Sequence, residues 1–467
     1  MLVMVIALTI LCCKKSNNQN NVDAIQRVQA ARVNDFLDMI GICGHASGNI
    51  TPNLNVPLVL ANMQYIGARK YRDDLGAIHS WQLAVLQALA KTGIKLIATP
   101  PNSGNLTTSY NLVMSDLLAV AKTWNDLAPN ALFALEGPNE PINFPITYNG
   151  NSGGGASGSF LPVANFQRDW YAAIKADPAL KNIPVWSVTA TGAEKENVGL
   201  QFLTIPDNAG TTFPAGITFS DALNMHVYTV YDKSPTSVDP GGNHFDRQLT
   251  GEFVSTYRNH FSGYTLTQTR TMPKAITEFG YHTNGSTGPR VDLATQAKNI
   301  STGLLNAFVQ KYSVVCIYEL YDLGDGFGIF TFSGSPRTSA TYLHNLTTIM
   351  ADAGSSAATF SPGSLNYTLS GMPATGMSML FQKSDGRFQL VLWNNVINYD
   401  LNTQQSITIP PVSVKVLMGT GKANMEVFDL TVGTQSTSKS DNTTGINVSL
   451  ADYPLIIDIL PGTTSSL

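Results

Sequence analysis

Between about Ala24 and Ala353 the chain alternates short apolar or β-branched runs with longer segments of helical period, and after about Ser355 the period drops to two. With a length of 467 residues, enough for two or three domains, these patterns predict an α/β protein: a (β/α)8 TIM barrel followed by a small C-terminal β-sandwich. The boundaries read as 1–20 for a signal peptide and tether, 21–355 for the barrel and 356–467 for the sandwich.

Each element has its own signal. The eight predicted strands end near Gly44, Arg72, Thr99, Glu136, Thr189, Val227, Glu278 and Glu319, a mean spacing of about 39 residues that suits such a barrel. Between them, Leu83, Leu86 and Leu89 share one helical face with Gly93 as the stop, and Val113, Leu117, Val120, Trp124 and Leu127 line another. The segments Glu194 to Ser220 and Tyr231 to His244, rich in Pro, Gly, Thr and Ser, read as long loops of the kind that carry specificity on barrels. Beyond Ser355, Met377 to Lys383 and Phe388 to Trp393 flank the turn Ser384-Asp385-Gly386 as a hairpin. Ser406 to Ile409, Val412 to Met418, Met425 to Val432, Ile446 to Leu450 and Leu455 to Leu460 read as further strands.

Composition narrows the function. Lys plus Arg number 28 against 32 Asp plus Glu, so a net charge of −4 provides no basic field and no nucleic-acid partner is expected. Cys43 and Cys316 have neither C-x-x-C spacing nor a histidine at ligand spacing, and read as two buried free thiols on the neighbouring strands one and eight. The seven histidines form no H-x-H or H-E-x-x-H, so neither metal catalysis nor a cofactor is expected. The run Asp322-Leu323-Gly324-Asp325-Gly326 reads as a calcium loop or, more simply, as a turn. The G-x-S-x-G from Gly150 to Gly154 lacks the strand-to-helix turn of a serine hydrolase, and its Gly-rich tract to Gly158 reads as a rim loop.

Glutamate carries the chemical signal. Of only 8 Glu, four (Glu136, Glu140, Glu278 and Glu319) fall at the C-terminal ends of predicted strands, the face that holds barrel active sites. Glu is disfavoured in strands and costly to bury unpaired, so this grouping calls for a reason. Glu140 lies in Leu135-Glu136-Gly137-Pro138-Asn139-Glu140-Pro141 after strand four, and Glu278 in Ala275-Ile276-Thr277-Glu278-Phe279-Gly280 on strand seven. Two carboxyls facing across a cleft suit glycosidic cleavage, one protonating the leaving oxygen while the other attacks or activates water.

In these motifs the chain resembles the clan A glycoside hydrolases, most closely family 39 and family 5 type enzymes. Asn139-Glu140-Pro141 is similar to the clan's acid/base signature and Thr277-Glu278-Phe279-Gly280 to its nucleophile strand. Gly41-Ile42-Cys43-Gly44-His45, Gly67 to Asp74 and His226-Val227-Tyr228 extend the likeness over residues 24 to 353. The resemblance implies a retaining enzyme acting on β-linked carbohydrate, with Glu140 as acid/base and Glu278 as nucleophile, their carboxyls about 5 to 5.5 Å apart. It further implies that Asn139 bonds the sugar 2-OH, Arg72 holds the nucleophile ionised, Tyr228 orients it, and His226 and His45 line the cleavage subsite. Partial burial among charges is expected to keep Glu140 protonated near neutral pH. Strand eight, Ile317-Tyr318-Glu319-Leu320-Tyr321, has no Trp where many clan members place a sugar platform, leaving Tyr318 or Tyr321 for that task and Glu319 for a hydroxyl. Arg69 competes with Arg72 for the strand-two position, and Glu136 reads as an inward barrel residue paired with Arg or His.

The apolar run Met1 to Cys13 is shorter than the ~20 residues of a membrane span. With Lys14-Lys15 and a polar Ser16 to Asn21 after it, the run resembles the lipobox and tether of a bacterial lipoprotein, with Cys13 (or Cys12) lipidated. This implies export, as an outer-membrane or cell-surface lipoprotein or a periplasmic or secreted protein, with membrane contact only through the lipid. Two other functions fit the same residues: a non-catalytic surface glycan-binding lipoprotein, and a transglycosylase using the same two Glu.

Overall fold

The computed structural model describes residues 26–76, 78–105, 107–155, 159–189, 216–228, 271–283, 290–400 and 403–462. Cys13, the signal peptide, the Tyr231 to His244 loop and most of the Glu194 to Ser220 loop lie outside them.

The α/β part is a curled parallel sheet. Among the described residues its seven strands run, in order, Leu223–Val227, Lys274–Phe279, Val314–Ile317, Ile40–Cys43, Lys70–Asp74, Lys95–Thr99 and Leu132–Leu135. Every neighbouring pair is parallel, which requires a crossover between strands. The two edge strands are linked through Val185 and Trp186, which bridge to Leu135 and Ala222. The bridging stretch falls where the fifth strand is predicted, and Pro184 lies at its start, where it accepts from Leu135 N but has no N–H to give.

Helices cover the outside. Val56–Ile66 starts at Asn55, whose side chain accepts from Leu58 N, and ends at Gly67, whose φ of 65° lets its N–H reach back to Met63 and Gln64. Ser80–Lys91 and Met114–Asn125 fall on the predicted helical faces, burying Leu86 and Leu89 in one and Leu117, Val120 and Trp124 in the other. Ile40 and Ile42 join the large core between sheet and helices, whereas Cys43 faces inward with Ile97, Ala134, Trp186, Ala222, Ala275, Val314 and Cys316. Cys43 and Cys316 are buried free thiols on adjacent strands. The inner cluster is apolar, and other inward side chains of the same strands, Arg72, Asn224 and Glu278 among them, are polar, which is where the site forms.

The C-terminal residues form two sheets on one shared core. Four strands (Gln26–Gln29, Ser364–Ser370, Val412–Met418, Gly445–Leu450) make one, and six (Ala31–Arg32, Gly376–Gln382, Phe388–Asn394, Leu455–Pro461, Ala423–Asp429, Ser438–Thr443) the other. Leu365, Tyr367, Val414, Val416 and Val448 of the first pack with Leu390, Leu392, Met425, Ile457 and Ile459 of the second. Gln26–Arg32 therefore belongs with these sheets, although the sequence boundary placed it in the barrel: its alternation is too short to distinguish the two environments. Trp393 Nε1 donates to Asn306 Oδ1 (3.0 Å) and Lys298 pairs with Asp452 (3.0 Å), which ties the sheets to the helix Leu293–Val309.

Candidate active site

The site grows from Arg72, on the inward face of Lys70–Asp74. Its Nε and Nη2 donate to the two oxygens of Glu136 (2.6 and 3.2 Å), Nη1 donates to Glu278 Oε1 (2.7 Å), and Nη2 also reaches Asn139 Oδ1 (2.7 Å). One cation thus binds the ends of three strands together. Glu136 is fully buried and takes further bonds from Asn224 Nδ2 and Thr277 Oγ1, both 3.0 Å from its Oε2, so its charge is compensated on every side. This is the inward, Arg-paired residue the sequence suggested. Arg69 points elsewhere, donating to Asn34 Oδ1 at 2.7 Å.

Glu278 is held at both oxygens. Oε2 accepts from the Tyr228 hydroxyl and lies 3.3 Å from His226 Nδ1. Burial, with Glu278 beside it, pushes the Tyr228 phenol well above its ordinary value, so it remains a donor. The Tyr228 ring is fixed edge-on against Phe327 (5.3 Å between centroids) and Tyr318 (6.1 Å).

Glu140 faces them from the loop after Leu132–Leu135. Its φ of 41° is left-handed for a residue with a side chain, and its N–H is tied to Thr189 Oγ1 (3.1 Å). His226 Nδ1 lies 2.6 Å from Oε1, and Asn143 Nδ2 donates to Oε2 (3.0 Å). Burial alone would raise this carboxyl, but the bond and charge of His226, with Asn143 and Arg72, outweigh it and hold the group below its ordinary value. This corrects the expectation of a carboxyl kept protonated by its surroundings: His226 is a closer partner than the sequence revealed. Oxygens of Glu140 and Glu278 and a ring nitrogen of His226 all lie within 4.8 Å of one another. These three could ligate a cation, but Arg72 and Tyr228 already occupy Glu278.

Beside the pair opens a cavity of about 310 Å³, lined by His45, Ser47, Gly48, Ile50, Asp74, Tyr318, Glu319, Leu323 and Asp325. Behind Ser47, Asp73 fixes the backbone of that wall by accepting from Ala46 N (2.9 Å) and Ser47 N. His45 Nε2 lies 2.8 Å from Glu319 Oε2; burial would lower the imidazole, but Glu319, Asp73 and Asp74 raise it to about 9. Tyr318 lines this cavity, whereas Tyr321 is buried in the core with its hydroxyl accepting from Asn62 (3.2 Å), so only Tyr318 is placed to meet a ligand.

Sequence reasoning thus named Arg72, Asn139, Glu140, His226, Tyr228 and Glu278, which the structure brings together, and His45, Tyr318 and Glu319, which line the cavity next to them. It missed Asn143, Thr189, Asp74 and Asp325. Asp74, two residues past Arg72 at a strand's C-terminal end, carried a readable signal; Asp325 was hidden in a sequence that also spells a turn. That turn exists, with Asp322 accepting from Gly324 N and Gly326 N and pairing with Arg337.

No family model matches the chain, and no curated protein matches it in sequence. Solved structures match it over most of its length. A monomeric β-xylosidase from Caulobacter crescentus CB15 superposes with a TM-score of 0.57 at 14% identity, over 93% of this chain and 98% of that one. A family 39 glycoside hydrolase from the gut symbiont Bacteroides cellulosilyticus WH2 gives 0.56 at 14% identity, over 91% and 82%. A family 39 enzyme from Xanthomonas axonopodis pv. citri gives 0.55 at 15% identity, over 94% and 97%. At these identities the likeness is one of fold.

Proposed function

We propose that the chain is a retaining glycoside hydrolase that cleaves β-glycosidic bonds in a poly- or oligosaccharide, with Glu278 as nucleophile and Glu140 as acid/base. The observation that carries this reading is the placement of the Glu140 and Glu278 oxygens within 4.8 Å of each other, with Arg72 on one carboxylate and His226 on the other. Retaining pairs stand about 5 to 5.5 Å apart, and inverting pairs about 6.5 Å or more to admit a water.

In the first step Glu278 attacks the anomeric carbon while Glu140, reacting in its protonated form, gives that proton to the departing glycosidic oxygen. A covalent glycosyl-enzyme forms and the aglycone leaves. In the second step Glu140, now ionised, takes a proton from water, whose oxygen displaces Glu278. Arg72 and Tyr228 orient Glu278. Because Arg72 occupies Asn139 Oδ1, the amide N–H2 of Asn139 is the group left to donate to a sugar hydroxyl.

In the same reading the parallel sheet is an eight-stranded barrel closed by Pro184 to Val188, and the paired C-terminal sheets are a β-sandwich. The likeness to a β-xylosidase and to family 39 enzymes supports a carbohydrate substrate. The N-terminal run supports export with Cys13 as a lipid anchor.

Proton NMR of aryl β-glycoside hydrolysis tests the mechanism. The β-anomer is expected to appear first; an α-anomer appearing first would require inversion. Binding without release at high protein concentration would point to a glycan-binding module, and products longer than the substrate to a transglycosylase.

A further inference from the structure

The cavity beside Glu278 is acidic. Glu319, Asp325 and Asp74 line it, and its one basic side chain, His45, is already committed to Glu319 Oε2; no Lys or Arg lines it among the described residues. Glu319 is 1% exposed, yet no N–H or hydroxyl donor reaches its Oε1 among the described residues, and its carboxyl has only the Asp325 carboxyl beside it on that wall. A buried acceptor without a donor is costly unless a ligand supplies one. Asp325 sits against the same carboxyl from the loop that follows strand eight, anchored by Phe327 N donating to its Oδ1 (3.1 Å). At about 310 Å³ the cavity is at the small end of the roughly 300–1,000 Å³ typical of small-molecule sites. Anything bound there lies close to these carboxyls.

Resting on the glycosidase reading above, we infer that this cavity is the glycone pocket, that Glu319 and Asp325 accept hydroxyl hydrogens of an uncharged sugar ring, and that the same two carboxyls exclude uronic acids. A sugar hydroxyl satisfies Glu319 Oε1 with a charge-assisted hydrogen bond. A uronate brings an acceptor-only carboxylate into a pocket that offers no spare cation among the described residues, so it meets like charge and leaves Oε1 without a hydroxyl donor. The proximity of the two carboxyls has an electrostatic mark: burial and Glu319 together push Asp325 up to about 7. Lining the cavity beside Glu319, and ionised above that value, Asp325 is a determinant of specificity, a role distinct from the turn its sequence suggests.

The test compares 4-nitrophenyl β-xyloside, β-glucoside and β-galactoside with the β-glucuronide and β-galacturonide, using the whole chain. The best neutral substrate is expected to exceed either uronide by at least ~100-fold in kcat/KM. Glu319→Gln should lower kcat/KM on that substrate ~100-fold, and Asp325→Asn should raise the uronide-to-neutral ratio ~10-fold, both folding normally by circular dichroism. A wild type that prefers a uronide, or an Asp325→Asn variant with an unchanged ratio, overturns the inference. If none of the five is hydrolysed, the same compounds are titrated calorimetrically. Tighter binding of a neutral member then supports the pocket assignment while the hydrolase reading fails; tighter binding of a uronide, or no binding at all, overturns the assignment.

Discussion

His226 Nδ1 lies 2.6 Å from Glu140 Oε1 and 3.3 Å from Glu278 Oε2, between the two carboxyls. The bond and charge of His226 pull the Glu140 carboxyl below its ordinary value. A general acid must be protonated, so the alkaline fall of kcat/KM follows its loss of that proton. Replacing His226 with Ala removes the pull, and the alkaline limb on a substrate with a poor leaving group is expected to move to higher pH. A pH profile of kcat/KM checks this; a shift to lower pH would contradict it.

The two glutamates should fail in different ways. Glu278→Gln removes the nucleophile and is expected to abolish turnover even of activated aryl glycosides. Glu140→Gln keeps the first step on such substrates, because a good leaving group needs no proton, and slows the second for want of a base. Azide needs no base, so it should restore the Glu140 variant and give a β-glycosyl azide. If azide instead rescued Glu278→Gln as a β-glycosyl azide, the roles would be exchanged, whereas an α-glycosyl azide from that variant is what loss of the nucleophile gives.

His45 gives the fold a pH dependence. Its folded-state value, raised to about 9 from 6.5, means that the protonated form is favoured in the folded protein. The stability this contributes, at most about 3 kcal/mol, is fully present below pH 6.5 and is lost as pH rises toward 9. Chemical denaturation at pH 6 and pH 9 should show the loss in the wild type and a smaller one in His45→Asn. Equal losses in both would remove His45 as the cause.

Much of this was readable in the residue string because the strands of the parallel sheet are apolar runs that end in unusual residues. Arg72, Glu136 and Glu278 stand out since burying them demands partners, and the partners turned out to be one another. The strand Ser438–Thr443 was missed for the opposite reason, whereas Ser364–Ser370 does alternate, burying Leu365 and Tyr367. Ser438–Thr443 has no buried residue and therefore no alternation to read. Contacts such as Asn143 and Thr189 on Glu140 depend on how two loops meet, a relation that single-chain spacing does not encode.

Arg72 also carries stability. Arg72→Met would leave Glu136 fully buried with no cation, a change that typically costs about 3–5 kcal/mol. Adding Glu136→Gln should recover part of that loss by removing the stranded charge, although not activity, since Glu278 still lacks its cation. Guanidinium denaturation of the single and double variants decides; a double variant less stable than the single would show that the charge on Glu136 is not the source.

Gly137 is where fold and site are coupled most tightly. A Cβ built there would lie 1.9 Å from Gln167 Oε1 and 2.6 Å from Val188 N. Gln167 cannot easily move away, because it is buried and its Nε2 already serves the carbonyls of Trp186 and Phe219. Val188 is backbone and is followed by Thr189, whose Oγ1 holds the Glu140 N–H. Gly137→Ala must therefore push either the chain leading to Asn139 and Glu140 or the segment that secures Glu140. Overpacking of this kind costs about 1–3 kcal/mol, and a displacement near 1 Å at a reacting group costs roughly 100-fold in rate. Gly76→Ala, with nothing within 4 Å of its Cβ, is the control and should leave stability nearly unchanged. Thermal melts together with kcat on an aryl glycoside distinguish the outcomes. Should Gly137→Ala lose stability but keep full kcat, Glu140 would be positioned independently of the Val188–Thr189 segment.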